Sequence, residues 1–464
     1  MTTPALATDR PAIRFRGTTY PVLLPTVRDP RLQLAGVIVT LQVLGQTVFD
    51  FRLSIAQILI SLGTCAVLEV GIALHRQHVL MWPASALLTG NGVAFVLRVP
   101  GTEHGDWWSM NGWWLFAGTA AVGLLSKYVI TFRGRHVFNP SNFGLVLCFV
   151  LLGPEHADPL PFWWGPMSIW LALALVLIVG GGLTILSRLR LVGIAVGFWL
   201  TFATGIAVLA ATGHEMTAAW HLGPIHGLDL WWLLVTSPEV LVFLFFMITD
   251  PRTIPQSARG RRAYAVSVGL LATLLIAPWT TEFAAKLAVL GSLTLVCAAR
   301  PLLLLLARRG LGRAIGWSPV RLGAAAGVAA GVVAAAGLLS APASTARGPI
   351  ATGRIPVVTV AATQGIAPID DAIARLIAAD LVADLRSGSE SLRKRDRAAA
   401  KRGATGDWLA ELWGRIDRAK GGSIDVPIYE AEQVGLRLER RKGQGPPLVV
   451  ATLKGTSQTA IRNG

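Results

Sequence analysis

Apolar residues along this chain gather in runs of about 20, the length that crosses a hydrocarbon core. The pattern predicts eleven membrane spans, at 32–50, 54–74, 82–98, 113–131, 138–153, 166–186, 191–211, 229–249, 264–279, 283–305 and 322–341. The eleventh run is nearly all Ala, Gly, Val and Leu and reads as an anchor added to a ten-span core. One stretch breaks the pattern. Gly134–Gly144, GRHVFNPSNFG, puts Asn139-Pro140 at the mouth of the fifth run. Pro140 lacks a backbone N–H and pushes Asn139 toward an extended conformation. Irregular backbone at membrane depth is tolerated where protein buries it or it lines a wet cavity.

The loops set an orientation. Arg10, Arg14, Arg16, Arg28 and Arg31 precede the first run, and Arg76, Arg133, Arg135, Arg188, Arg190 and the 252–262 and 308–313 arginines fall on the same side. Loops 99–112, 154–165, 212–228 and 280–282 hold no Lys or Arg, while Arg52 and Arg98 are exceptions to the bias. The positive-inside rule therefore predicts a cytoplasmic N-terminus and an extracytoplasmic C-terminal tail. The pairs Trp107-Trp108, Trp113-Trp114, Trp163-Trp164 and Trp231-Trp232 fall at the outer boundary and read as an aromatic belt.

A seven-residue echo links the third and eighth runs. Leu87-Leu88-Thr89-Gly90-Asn91-Gly92-Val93 resembles Leu234-Val235-Thr236-Ser237-Pro238-Glu239-Val240. The two runs are five spans apart and point in opposite directions, the pattern of an inverted repeat with a site at interrupted helices. The expected domains are a cytoplasmic segment 1–31, a ten-span core 32–305, a basic loop with the eleventh span 306–341, and a linker with an extracytoplasmic tail 342–464. In the tail, Val357–Val360, Pro427–Tyr429, Gly435–Leu438 and Pro447–Leu453 read as strands. Ile369–Leu385 and Asp407–Ile416 read as amphipathic helices. The basic run Ser389–Arg402 reads as a solvated helix face, with an acidic partner or lipid headgroups as the alternative.

Composition narrows the class. Hydrophobic residues make up 53% of the 464 and charged residues only 15%, so the net charge of +16 is explained by loop arginines rather than by nucleic-acid binding. Cys65, Cys148 and Cys297 lie inside apolar runs and form neither a disulfide framework nor a CxxC site. Met1–Arg31 is polar and shows no signal-peptide pattern. His104, His156, His214, His221 and His226 on the outer side, and His75, His78 and His136 on the inner, match no metal-binding spacing, so no metal is expected.

Candidate chemistry sits at the breaks. Asp250-Pro251, within Met247–Pro255, interrupts the end of the eighth run on the side of Asn139-Pro140. Asp250 there either caps a turn or contacts a ligand. Glu69, Asn91, Lys127 and Glu239 fall inside apolar runs, where ionisable groups are costly and face a cavity or a partner. Lys127 is close enough to the inner end to snorkel. Glu69 and Glu239 are candidates for an ion or proton path, with a structural pair as the alternative.

Two motifs carry a family resemblance. Phe138-Asn139-Pro140-Ser141-Asn142, and Phe246-Met247-Ile248-Thr249-Asp250-Pro251 followed by a basic loop, resemble the family containing NqrB and RnfD, membrane subunits of sodium-pumping NADH:quinone reductase and of the Rnf electron-transport complex. The variant forms FNPSNFG and SPEVLVFLFFMITDP look most like the UnbU-like branch found with enediyne biosynthesis genes in actinobacteria. Over 32–305 the resemblance implies two inverted five-span repeats and a bound flavin. Family members attach FMN to the Thr of an SGAT motif. That motif is absent, and the corresponding loop Gly153–Pro159 has no Thr. The flavin implied is therefore noncovalent, FMN or riboflavin, held by Asn139, Ser141, Asn142, Thr89, Asn91, Thr236, Asp250 and Thr253.

The expectation is thus an all-α polytopic protein of the bacterial plasma membrane, with a small α+β tail. It would be the redox subunit of an electron-transport system, passing electrons between redox partner proteins or a quinone, with coupling to ion movement as an option. The alternatives are a small-molecule permease or efflux component on the same scaffold, and a membrane anchor displaying the tail. No Rossmann-like fold or iron–sulfur cysteine set is legible, so the chain would not take electrons from NADH unaided.

Overall fold

A computed structural model describes residues 12–15, 18–26, 29–160, 168–218, 225–308, 356–361, 369, 371–401, 403–404, 406–419, 422–439 and 448–462. The eleventh apolar run, the basic loop before it, Trp163-Trp164 and His221 lie outside these residues. The chain forms two compact units, one up to Ala341 and one made of residues 342–464 with 218–224.

The first unit is helical. Its helices are α1 (Pro30–Thr47), α2 (Ile55–Gln77), α3 (Ala84–Val96), α4 (Trp113–Val129), α5 (Pro140–Leu152), α6 (Ile169–Leu189) and α7 (Val192–Ala211). A broken rod follows, α8 (Gly227–Thr236) and α9 (Pro238–Val242) continued by a π-helical turn, Phe243–Met247. Then come α10 (Ala258–Ile276) and α11 (Glu282–Arg308). Each of the first ten apolar runs thus carries helix. Among the described residues, five segments are long and apolar enough to cross a membrane: α2, α6, α7, the α8–π rod and α11 up to Pro301. The apolar helices α3 and α5 are shorter. Large apolar side chains point outward, with Val67, Val129 and Leu151 each more than 70% exposed. Water does not favour that surface; lipid does.

Packing follows a recurring order. In the first half α2 packs on α3 and α4, and α4 on α5; in the second α7 packs on α8 and α10, and α10 on α11. The halves meet where α1 packs on α6 and α5 on α11. Glycine allows the closest approaches. A Cβ on Gly144 would stand 2.6 Å from the Thr119 carbonyl, and one on Gly123 2.6 Å from that of Pro140, so α4 and α5 touch backbone to backbone. Gly90 lies equally tight against Ser61 of α2.

The loops hold short strands that apolar runs do not announce. β1 (Ala12–Phe15) and β2 (Thr18–Leu23) form a hairpin, and β2 also pairs with β3 (Leu80–Met81). β4 (Leu97–Arg98) ends α3 and pairs with β7 (Asp158–Pro159). β5 (Thr131–Phe132) and β6 (Arg135–His136) form the turn before Asn139, and β8 (Glu215–Met216) pairs with β9 (Ile225–His226).

The second unit carries a three-stranded sheet of β10 (Val357–Ala361), β11 (Ile424–Glu439) and β12 (Leu448–Arg462), in that order, with β10 parallel and β12 antiparallel to β11. The two short strands expected at Pro427–Tyr429 and Gly435–Leu438 are one strand. A bulge at Ala431/Gln433 absorbs the irregularity between them. Helix α12 (Asp371–Lys394) runs beyond its expected end and lays Ala374, Ala378 and Val382 on Val434 and Leu436. The short α13 (Arg397–Ala400) and α14 (Gly406–Arg418) enclose a second core around Leu392, Leu409 and Leu412.

Candidate functional site

Asn139 organises the first break. With φ −64° and ψ 122° it is the N-cap of α5, Pro140 occupies the first helical position, and its Oδ1 accepts from the Asn142 backbone N–H (3.1 Å) and from Ser141 Oγ (3.0 Å). Its Nδ2 donates across 108 positions to the Met247 carbonyl (3.3 Å), where the π turn ends. A π turn leaves carbonyls out of the regular ladder, so an outside donor is needed.

The second break is held to the same place. Asp250 accepts from the Arg252 N–H at Oδ1 (2.9 Å) and faces His136 Nε2 at Oδ2 (3.3 Å). Arg135 donates to the Pro251 carbonyl (2.7 Å). Thr253 Oγ1 donates to the Asp250 carbonyl (3.1 Å), and the Arg300 guanidinium donates to that of Thr253. The two proline-broken segments are thus in contact. Asp250 acts there as a turn-former with a histidine partner.

Asn142 reaches the other way, toward α11. Its Nδ2 donates to the Leu290 carbonyl (3.0 Å) and Thr294 Oγ1 (2.9 Å), while its own Oδ1 is buried without a hydrogen-bond partner. Asn91, 3% exposed on α3, likewise has an unpartnered Oδ1. The neighbouring Gly92 lies against Ser141, where a Cβ would come within 2.9 Å of Oγ. Such oxygens are costly to leave bare, about 1–3 kcal/mol each. The two threonines of the echo do not join them: Thr89 and Thr236 turn their hydroxyls back to Ser85 and Trp232 within their own helices.

Met247 and Leu290, which accept from Asn139 and Asn142, also line a mostly apolar cavity of about 60 Å³. Its other end is charged. Lys286 of α11 contacts Glu282 (2.6 Å) and Glu239 (3.1 Å), and Ser237, the N-cap of α9, also lines the wall. Lys286 Nζ further donates to the Leu160 carbonyl (3.4 Å). Just beyond, Asp158 of β7 faces Arg98 of β4 at 3.6 Å. Burial pushes the Asp158 carboxyl up to about 6, against the pull of Lys286 and Arg98 and with a further push from Glu282.

Both intramembrane glutamates are therefore paired with lysine. Glu69 on α2 receives Lys127 (2.8 and 2.9 Å) and the Tyr128 hydroxyl (2.5 Å) from α4. The expectation that Lys127 snorkels is corrected: with its side chain 12% exposed, it turns inward because Glu69 offers both oxygens. Lys286 is the residue the reading of the chain passes over. It sits in the tenth apolar run and meets the criterion that singles out Lys127.

The fold and these pairs define a helical membrane protein with a polar joint between two broken helices. Compared with known proteins, the chain matches no family model and no curated protein. Among the described residues no group of three or more His, Cys, Asp or Glu is placed to hold a metal ion.

Proposed function

We propose that this chain is a membrane subunit of an electron-transport system, related to NqrB and RnfD and built as two inverted five-span repeats, and that it binds a flavin noncovalently at the joined breaks. The observation that carries the reading is the pair of buried, unpartnered amide oxygens of Asn142 and Asn91 beside that joint. A flavin ring supplies an N–H donor for one such oxygen and flat apolar faces for the cavity that Met247 and Leu290 line nearby. The like packing order of the two halves supports the repeat. So does the matching placement of breaks: Asn139-Pro140 beside the end of the π turn, and the start of α11 beside the end of α3, with Val96 and Lys286 lining one cavity.

At about 60 Å³ the cavity takes water or a small ion, well under the roughly 300 Å³ of ordinary ligand pockets. Flavin binding therefore requires the α9 segment and its π turn to shift, and the Ser237-Pro238 break is the hinge available. When bound, the flavin supplies one- and two-electron chemistry. The protein's part is to hold it with Asn142 and Asn91 and to exclude water. Partner proteins or a quinone supply and remove the electrons. The test is flavin absorbance of the purified protein beside an Asn142→Leu variant. The proposal expects yellow wild type and a colourless, folded variant.

A second reading has its own observation. The Glu239–Lys286–Glu282 group at the cavity end has two acids for one base, the arrangement of a small-ion or solute path. Under this reading the purified protein is colourless, moves a solute or ion in liposomes, and loses that flux on Glu239→Gln.

A further inference from the structure

The second unit gathers cations at one end. Helix α12 finishes in Arg393 and Lys394, the chain reverses at Arg395 in the left-handed conformation (φ 54°), and α13 brings Arg397 and Lys401 back over the indole of Trp413 on α14. The ring centroid lies 4.5 Å from the Arg397 guanidinium carbon and 5.7 Å from Lys401 Nζ, and Trp413 Nε1 donates to the Arg397 carbonyl (3.0 Å). Two further bonds lock the end together: Arg395 donates to the Gly422 carbonyl (2.6 Å) and Arg415 to that of Asp425 (3.0 Å). Arg415 and Arg418 line an open cleft with Ser423 and Asp425.

Acids temper this face without cancelling it. Glu390 contacts Arg393 and Lys394, Asp417 contacts Arg397, and Asp396 caps α13. Residues 393–402 alone carry six Lys or Arg against the single Asp396. The C-terminal ends of α12 and α14 explain part of the cluster, since cations favour helix C-termini. Arg397 and Lys401, outside the last turns of α12 and α14, add to it.

The chain reaches this unit from the apolar run 322–341 through residues 342–356, at most about 50 Å of fully extended backbone. A run that long and apolar in the sequence meets the length that crosses a hydrocarbon core, and a basic face within that reach of it complements anionic headgroups. We propose that this face docks on anionic phospholipid headgroups, whatever chemistry the helical unit performs. The phosphates meet the exposed side chains of Arg393, Lys394 and Arg397, and Trp413 packs under Arg397 and Lys401.

The experiment uses the full chain in lipid nanodiscs, one set of phosphatidylcholine alone and one with added phosphatidylglycerol, read by amide hydrogen exchange. Amides of 393–401 and 413–418 should slow by about tenfold or more in the anionic discs, and high salt should abolish the difference. The joint variant Arg393→Gln, Lys394→Gln, Lys401→Gln, Arg418→Gln should lose the protection, since each charge removed weakens attraction to the anionic surface by about fivefold, while amides of 433–437 in the sheet keep their wild-type rates and report folding. Equal exchange in both discs overturns the proposal. So does protection that appears only when an acidic protein or a polynucleotide is added.

Discussion

The Asn139 amide donates to the Met247 carbonyl at 3.3 Å, and through this bond the cap of one broken helix satisfies the end of another. Asn139→Ala removes the α5 cap, worth about 1 kcal/mol, and strands a buried carbonyl, worth about 1–3 kcal/mol more. Asn139→Asp keeps the cap oxygen but cannot donate. Thermal unfolding in detergent should rank wild type above Asn139→Asp above Asn139→Ala, and equal midpoints for all three would show that the bond contributes nothing.

The glycine seam between α4 and α5 makes a local prediction. Gly144→Ala places a Cβ 2.6 Å from the Thr119 carbonyl and should cost about 1–3 kcal/mol by forcing the helices apart. Gly118→Ala, on the facing helix α4 with no atom within 4 Å of the added carbon, should change stability by less than about 1 kcal/mol. The pair of melting curves separates close packing from a general intolerance of substitution.

Lys127→Met leaves Glu69 buried with only the Tyr128 hydroxyl, and Glu69→Gln leaves the ammonium without its counter-charge. Each should destabilise by about 3–5 kcal/mol. The double variant Glu69→Met, Lys127→Met replaces both charges with apolar groups and should recover most of that loss. Additive losses in the double variant would mean that the two residues act independently.

Asp158 gives a dependence on pH with a defined sign. Its carboxyl titrates at about 6 in the folded chain and at 3.8 when unperturbed, so between those values the folded state holds the extra proton. The contribution of this group to stability therefore falls as pH rises from 3.8 to about 6. Asp158→Asn, which never ionises, should gain on wild type across that interval in melting experiments. A gap moving the other way would show that Arg98 and Lys286 hold the carboxylate ionised.

Much of the helical unit is legible in the chain because apolar runs and proline breaks act locally. Asn139-Pro140 and Ser237-Pro238 start helices where their sequences say they should. What joins them is not local. The Asn139–Met247 bond spans 108 positions and the Lys127–Glu69 pair 58, distances over which no periodicity carries information. Lys286 was within reach, as a cation inside an apolar run, but its two acids come from different places: Glu282 one turn before it, and Glu239 across the cavity. The strands β1 to β9 are mostly two residues long, too short for a run of alternating residues to announce them, and the β2–β3 and β4–β7 pairings join loops that the helices bring together. In the second unit, the bulge at Ala431 splits one long strand into what reads as two.

The central claim is that the joint of the two broken helices holds a flavin without a covalent link. It is tested most directly by the absorbance spectrum of the protein purified in mild detergent, followed by acid precipitation. The account predicts flavin bands in the native protein and all of the colour in the supernatant after acid. A colourless native protein, or a yellow pellet, would contradict it.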